Sequence, residues 1–211
     1  MDRLESYLGL LLRWNQKINL TALSYQTNPD ETIDRLLLEP LAAARLLPFS
    51  AGRLLDVGSG GGSPGIPLRL AGGEGVGLVL VESKTRKAAF LREAIRELEL
   101  ANASVESARF EELLTRPELH EAHDVVSVRA VRVEARMLVG FQAFLKPGGR
   151  LLLFQSSGEA EPSANVLSFE VEGAHVLVDS LASRLLILRK RQPVAPPLAV
   201  LRSGEMFHVE R

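Results

Sequence analysis

Apolar residues in the first stretch recur at near-helical spacing. Leu4, Leu8, Leu11, Leu12 and Trp14 alternate with Arg13, Gln16 and Lys17, which predicts an amphipathic helix over residues 2–17. A second helix is predicted over 31–47, stopped by Pro48. No strand pattern interrupts before Arg53, so residues 1–50 read as a helical cap. After that the period changes. Short apolar runs at 53–57, 76–82, 103–107, 124–128 and 150–154 alternate with helical patterns at 65–71, 84–98, 110–115 and 131–144. Ser83 is the expected N-cap of the 84–98 helix. Lys146-Pro147-Gly148-Gly149 is the expected turn into the fifth strand, and 155–165 reads as a loop. Strands at 167–172 and 184–190 complete an antiparallel hairpin at the sheet edge.

Near-continuous apolar strands alternating with helices predict an α/β fold, a mostly parallel seven-stranded sheet covered on both faces. Three segments follow: a cap over 1–50, a Rossmann-like domain over 51–191 and a proline-rich tail over 192–211.

Composition narrows the classes. Of 211 residues, 46% are hydrophobic, enough for a core in one domain with an extension. The net charge is -1 and the isoelectric point about 6.5, so any nucleic-acid surface must be a local patch. Cysteine is absent, which removes disulfides, thiolate metal sites and cysteine nucleophiles. The four histidines (120, 123, 175 and 208) show no metal-ligand spacing. No apolar run approaches the roughly 20 residues of a membrane helix, and the start lacks a signal-peptide pattern. A soluble, cytoplasmic monomer is the expectation.

The candidate chemistry begins at Leu54-Leu55-Asp56-Val57-Gly58-Ser59-Gly60-Gly61-Gly62-Ser63-Pro64-Gly65, a buried strand running into a glycine loop and a helix. Such a loop at the carboxyl end of a first strand binds nucleotide-like ligands in doubly wound folds. Asp56, two residues before the first glycine, suits a cationic or amine-bearing ligand better than a pyrophosphate. Glu82 ends the next strand, where a carboxylate accepts both ribose hydroxyls of an adenosine; the alternative is a favourable charge at a helix N-terminus. In Arg109-Phe110-Glu111-Glu112, Phe110 is placed to pack on a base and Glu111 to read its edge, unless this is only an acidic helix start. Arg129 ends the fourth strand and faces the crevice, or else pairs at the surface with Glu134. Lys84, Arg86, Lys87, Arg129 and Arg132 fall on the same carboxyl rim, a candidate phosphate-binding patch.

Taken together these motifs resemble the RsmG (GidB) family of small-subunit rRNA methyltransferases over about residues 8–155. The carriers are Trp14-Asn15-Gln16-Lys17-Ile18-Asn19-Leu20-Thr21-Ala22, the glycine loop with Pro64-Gly65-Ile66-Pro67-Leu68, Glu82-Ser83 with Lys87 and Phe90-Leu91, Arg109-Phe110-Glu111-Glu112 and Ser127-Val128-Arg129-Ala130. The resemblance implies a class I S-adenosylmethionine-dependent fold and methyl transfer to guanine N7 in 16S rRNA, free or within the 30S subunit. It implies cofactor contacts at Gly58, Ser63, Phe110, Glu111 and Arg129. Asp56, Gly60 and Glu82 join them from the reading of the strand ends, with Asp56 holding the methionine end. Arg129 is the expected catalytic-site residue, positioning cofactor or RNA, and Lys84, Arg86, Lys87 and Arg132 are the expected RNA contacts.

Two departures stand out. Ser63 replaces a usual apolar residue. Arg35-Leu36-Leu37-Leu38-Glu39-Pro40-Leu41 replaces the family's usual Arg-His-Ile-Leu-Asp-Ser-Leu. The missing histidine keeps a second class open, a methyltransferase-fold RNA-binding protein without activity. Gly60-x-Gly62-x-x-Gly65 keeps a third, a nicotinamide-dependent oxidoreductase, against which Asp56 and the lack of a recognisable Tyr-Lys or His pair argue. In the tail, Met206-Phe207-His208-Val209-Glu210 can be encoded by TGTTYCACGTGRAA, which resembles the palindromic partition site parS; codons that break the palindrome would rule this out.

Overall fold

The computed structural model describes residues 3–47, 52–129, 133–156 and 169–192. Seven strands form one sheet: β1 (Gly52–Val57), β2 (Val76–Val81), β3 (Ala103–Glu106), β4 (His123–Arg129), β5 (Leu145–Ser156), β6 (Phe169–His175) and β7 (Ser183–Lys190). Their order is β3-β2-β1-β4-β5-β7-β6. The first five pair in parallel, and β7 runs antiparallel between β5 and β6. The chain reverses strand order at β1, and the crevice beyond its carboxyl end is where open α/β sheets hold ligands.

The pleat sends alternate side chains to opposite faces, so one continuous apolar strand feeds two cores. Leu54, Leu78, Leu80, Leu152, Leu185 and Ile187 lie in one core, and Leu55, Val79, Val81, Leu151, Leu153 and Leu186 in the other. Helices α4 (Gly65–Gly72) and α5 (Thr85–Glu97) cover the first face; α7 (Ala135–Phe144) covers the second.

The cap shares the first of these cores. Helix α1 (Arg3–Asn15) buries Tyr7, Leu10 and Leu11 there. Each such side chain contributes at most about 1.5–3 kcal/mol by removing apolar area from water. The Asn15 side chain accepts from the backbone N–H groups of Leu20 (2.8 Å) and Thr21 (3.0 Å), and Trp14 packs edge-on to Phe90 at 5.8 Å. That is the physical content of the Trp-Asn-x-x-x-Asn-Leu-Thr motif: it holds Leu20 and Thr21 over the sheet's carboxyl edge.

Several expected boundaries move. The second cap helix starts at Pro29 and runs through α2 (Pro29–Ile33), a π-helical turn (Asp34–Leu38) and α3 (Glu39–Ala44), ending before Leu47. Asn28 caps it, its side chain accepting from Glu31 N–H. Ser83 is not an N-cap; Lys84 occupies that position and the Glu82 carboxylate takes the Lys84 N–H. Lys146–Gly149 is no separate turn; Gly148, at φ 79°, is taken into β5, whose register against β4 shifts there. The 110–115 helix shortens to α6 (Phe110–Leu113). Residues 155 and 156 of the expected 155–165 loop belong to β5; the rest of it, Arg132 and the tail from 193, with its parS-like segment, lie outside the described residues. Among the described residues no helix is long and apolar enough to cross a membrane.

Candidate functional site

The glycine loop is folded by its own hydrogen bonds. Gly58 (φ 73°), Gly60 (φ 53°) and Gly62 (φ 88°) adopt the left-handed region that favours glycine. Gly58 and Ser59 N–H both donate to Val81 O, Gly62 N–H donates to Ser59 O, and Gly60 N–H donates to Glu82 Oε2 (3.0 Å). These N–H groups are spent internally, so the loop is not an anion nest for a pyrophosphate. From the cap, the buried Tyr7 hydroxyl donates to Gly61 O at 2.7 Å. Burial holds that phenol well above its ordinary pKa, so it remains a donor.

Asp56 lies beneath the loop and does not line the cleft. It is 1% exposed, accepts from Ser127 Oγ at 2.6 Å, and its Cβ would stand 2.8 Å from a Cβ placed on Gly65. Glycine at 65 is therefore what lets α4 start against β1. Burial pushes the Asp56 carboxyl up to about 6, against the Ser127 and Ser59 hydrogen bonds and Arg129.

Two chambers meet at the loop. The smaller, about 250 Å³, is lined by Val57, Val81, Ala108, Phe110, Val128 and Met137, with Glu111 at its exposed edge. Phe110 is braced by Phe141 at 5.0 Å, and Gly140 gives it room: a Cβ there would stand 2.9 Å from its ring. The larger chamber, about 580 Å³, lies between the cap, the carboxyl ends of β4 and β5, and the amino end of the antiparallel β7. Gly58 and Glu82 line both. Each Glu82 carboxylate oxygen is fixed by one backbone N–H, from Gly60 and from Lys84, which leaves lone pairs for two further donors.

Arg129 organises the larger chamber. Its guanidinium lies 4.5 Å over the Phe154 ring. Nη1 donates to Arg35 O and to Ser63 Oγ (3.2 Å), and Nη2 lies 2.9 Å from Glu39 Oε2. The expected alternative partner was Glu134; the actual one is Glu39, buried in the cap and held also by Ser183 Oγ at 2.5 Å. The Glu39 contact is an ion pair without hydrogen-bond geometry, and Nε is buried with no hydrogen-bond partner. Desolvation lowers the Arg129 pKa and Glu39 opposes it. Ser63 donates to Leu36 O at 2.9 Å, so a serine at this loop position pins the cap helix over the cleft.

Lys84 and Lys87 line the larger chamber, whereas the exposed Arg86 does not. The structure thus gathers Gly58, Gly60, Ser63, Glu82, Lys84, Lys87 and Arg129 around one chamber, with Phe110 and Glu111 in the other, and leaves Asp56 and Arg86 outside both. Sequence reasoning missed Glu39, Phe154, Gln155 and Ser183. Glu39 interrupts a run of leucines, and Gln155 follows the apolar run Leu151–Phe154; either anomaly marks a buried polar residue. His123, fully buried against Phe144 O, is pushed down to about 4 by burial, and among the described residues no acidic or histidine cluster could hold a metal ion.

An elongated ligand with a planar base, a vicinal diol and a charged tail matches this donor set. The apolar chamber has room for a base, Glu82 keeps acceptor lone pairs for a diol, and Arg129 brings a positive charge to the wall of the larger chamber.

A family model described as GidB, rRNA small subunit methyltransferase G, matches residues 1–184. Proteins named ribosomal RNA small subunit methyltransferase G are similar to this chain. That of Xanthomonas euvesicatoria pv. vesicatoria is 42% identical over 147 residues, 69% of this chain and 64% of its own length. That of Halorhodospira halophila is 38% identical over 178 residues, 83% of this chain and 79% of its own. That of Carboxydothermus hydrogenoformans is 33% identical over 201 residues, 91% and 83% respectively. The match thus spans just under two thirds of the Xanthomonas relative. In fold, the chain is similar to MtNAS in complex with MTA and tNA (TM-score 0.63, 18% identity, 88% of this chain and 73% of that one). It is also similar to a SAM-dependent methyltransferase from Aquifex aeolicus (TM-score 0.61, 15% identity, 78% and 96%).

Proposed function

This chain belongs to the rRNA small subunit methyltransferase G family, and on that premise we propose that it transfers a methyl group from S-adenosylmethionine to N7 of a guanine in 16S rRNA. The observation that carries the reading is the pair of chambers joined at Glu82. Phe110 and Glu111 take the adenine, Glu82 the ribose hydroxyls, and Gly58 and Gly60 let the ligand approach the backbone. Arg129, braced by Ser63, holds the carboxylate of the methionine end. Asp56 keeps the loop on the sheet from below, a supporting role in place of the direct contact its position predicted. When bound, S-adenosylmethionine supplies an electrophilic methyl carbon on a sulfonium.

Guanine N7 carries a lone pair and no proton, so the chain needs no general base. Its work is placement and exclusion of water. The two carboxylates of the larger chamber are already engaged, Glu39 with Arg129 and Ser183 and Glu82 with backbone N–H groups. Lys84 and Lys87 take RNA phosphates at the chamber mouth, and Arg86 extends the same basic rim. The substrate is 16S rRNA, free or within the 30S subunit.

Calorimetry with S-adenosylhomocysteine and with NADPH tests the cofactor. Binding of the first and not the second is expected; the reverse overturns the proposal in favour of an oxidoreductase. Labelled S-adenosylmethionine with unmethylated 30S particles tests the activity. Cofactor binding without methyl uptake would instead favour a non-catalytic RNA-binding protein.

A further inference from the structure

We infer that Tyr7 is a positioning residue for the cofactor: its hydroxyl holds the glycine loop in the shape that seats the methionine half of S-adenosylmethionine. The loop spans the two groups between which that half must lie. Glu82 stands at one end, holding the Gly60 N–H, and Ser63 at the other, beside Arg129. Between them run three successive glycines, 60 to 62, the most pliable backbone a chain can have. The peptide joining Gly61 to Gly62 is pinned at both of its polar atoms. Its N–H donates to Ser59 O at 2.6 Å, and its carbonyl accepts from Tyr7 Oη at 2.7 Å. Removing the phenol oxygen removes one of those two restraints.

The pin comes from the cap. Tyr7 and Leu11, one turn apart on α1, are both fully buried and both reach Gly61, where a Cβ would stand 3.2 Å from Leu11 Cδ1. Gly60, Gly61 and Ser63 line the larger chamber and not the smaller one, and no cap residue lines the smaller one. The Tyr7 hydroxyl therefore bears on the methionine half of the ligand and not on the adenosine half. A loop that holds the competent shape for only part of the time lowers the apparent affinity by that fraction.

The inference rests on the S-adenosylmethionine reading above, and Tyr7→Phe tests it by removing one oxygen and keeping the ring. The dissociation constant for S-adenosylhomocysteine is expected to rise about 5- to 10-fold, the worth of one hydrogen bond. That for 5′-methylthioadenosine, which lacks the methionine tail, stays within about twofold. A merely structural role lowers the melting temperature and leaves both constants alone, or weakens both ligands alike; either result overturns the inference. Hydrogen exchange in the wild-type protein reads the same coupling even if the variant does not fold, because coupling between sites is reciprocal. Saturating S-adenosylhomocysteine is expected to slow exchange of the α1 amides, and saturating 5′-methylthioadenosine to leave it unchanged. Equal effects of the two, or no effect of either, overturn the inference. Wild-type protein that binds neither ligand overturns the cofactor reading itself, a distinguishable failure.

Discussion

The two chambers are built by different means. The smaller is made by strand ends and the loops that directly follow them: Val57 and Gly58, Val81 to Ser83, Ala108 to Glu111. The larger is assembled across the fold, from the cap (Leu20 to Leu23, Arg35, Leu36, Glu39) and from β4, β5 and β7 (Arg129, Phe154 to Ser156, Ser183). The first is apolar and internally braced. The second is held by a buried ion pair and keeps unpartnered polar atoms at Arg129 and Gln155. On the proposed function, the half that takes the adenosine is local and braced, and the half that meets the particular substrate depends on how the cap docks.

The largest expected effect comes from breaking the second half. Removing one member of the buried Glu39–Arg129 pair leaves an uncompensated charge, so Glu39→Ala or Arg129→Ala lowers stability by about 3–5 kcal/mol. Chemical denaturation of both single variants and the double variant reads this, with the double expected to lose less than the sum. Fully additive losses would show that the pair does not couple cap to sheet.

Next is the junction. Glu82→Ala removes the diol acceptor and the anchor of Gly60 and Lys84 N–H, and weakens S-adenosylhomocysteine binding by about 3 kcal/mol, above 100-fold. Unchanged affinity by calorimetry would separate the chambers into unrelated sites. Phe110→Ala acts on the small chamber alone. It is expected to weaken 5′-methylthioadenosine, which lacks the methionine tail, and S-adenosylhomocysteine alike, each by about tenfold. A loss confined to S-adenosylhomocysteine would place the adenine elsewhere.

The smallest effect is on pH dependence, because two buried groups oppose one another. Asp56, raised to about 6, favours its protonated form in the fold, so its contribution is lost as pH rises from the unfolded value toward 6. His123, lowered to about 4, contributes stability above its unfolded pKa that is lost as pH falls toward 4. The ligand-free protein should therefore show a shallow stability profile between about pH 4 and 6. Asp56→Asn should uncover a stability that rises with pH across that window; a profile unchanged by the substitution would contradict the buried carboxyl's titration.

The contrast between the chambers also explains what was legible in the chain. Strand β1, its loop and Glu82 are neighbours through parallel pairing, so the alternation of apolar strands and helices already brings them together. Phe110 and Glu111 follow from the next strand in the same way. Glu39 and Ser183 are 144 residues apart and meet only because the cap packs over the edge of the sheet. No local pattern encodes that contact. Asp56, Glu82 and Arg129 drew notice as polar residues closing apolar strands; the same rule applied to Leu151-Leu152-Leu153-Phe154-Gln155 marks Gln155. Asp56 shows the limit of the rule, since its place at a strand end does not say whether the side chain enters the crevice or lies under the loop.

The activity proposed for this cleft, with its adenosine half local and its substrate half assembled by the cap, is methyl transfer to guanine N7. Mapping of 7-methylguanosine in 16S rRNA, from cells with and without this chain and after incubation of their 30S particles with purified protein and S-adenosylmethionine, tests it most directly. One N7-methylated guanosine, absent without the chain and restored by the protein, is the predicted result. Identical methylation in both cells, or methyl uptake at an atom other than guanine N7, would contradict the account.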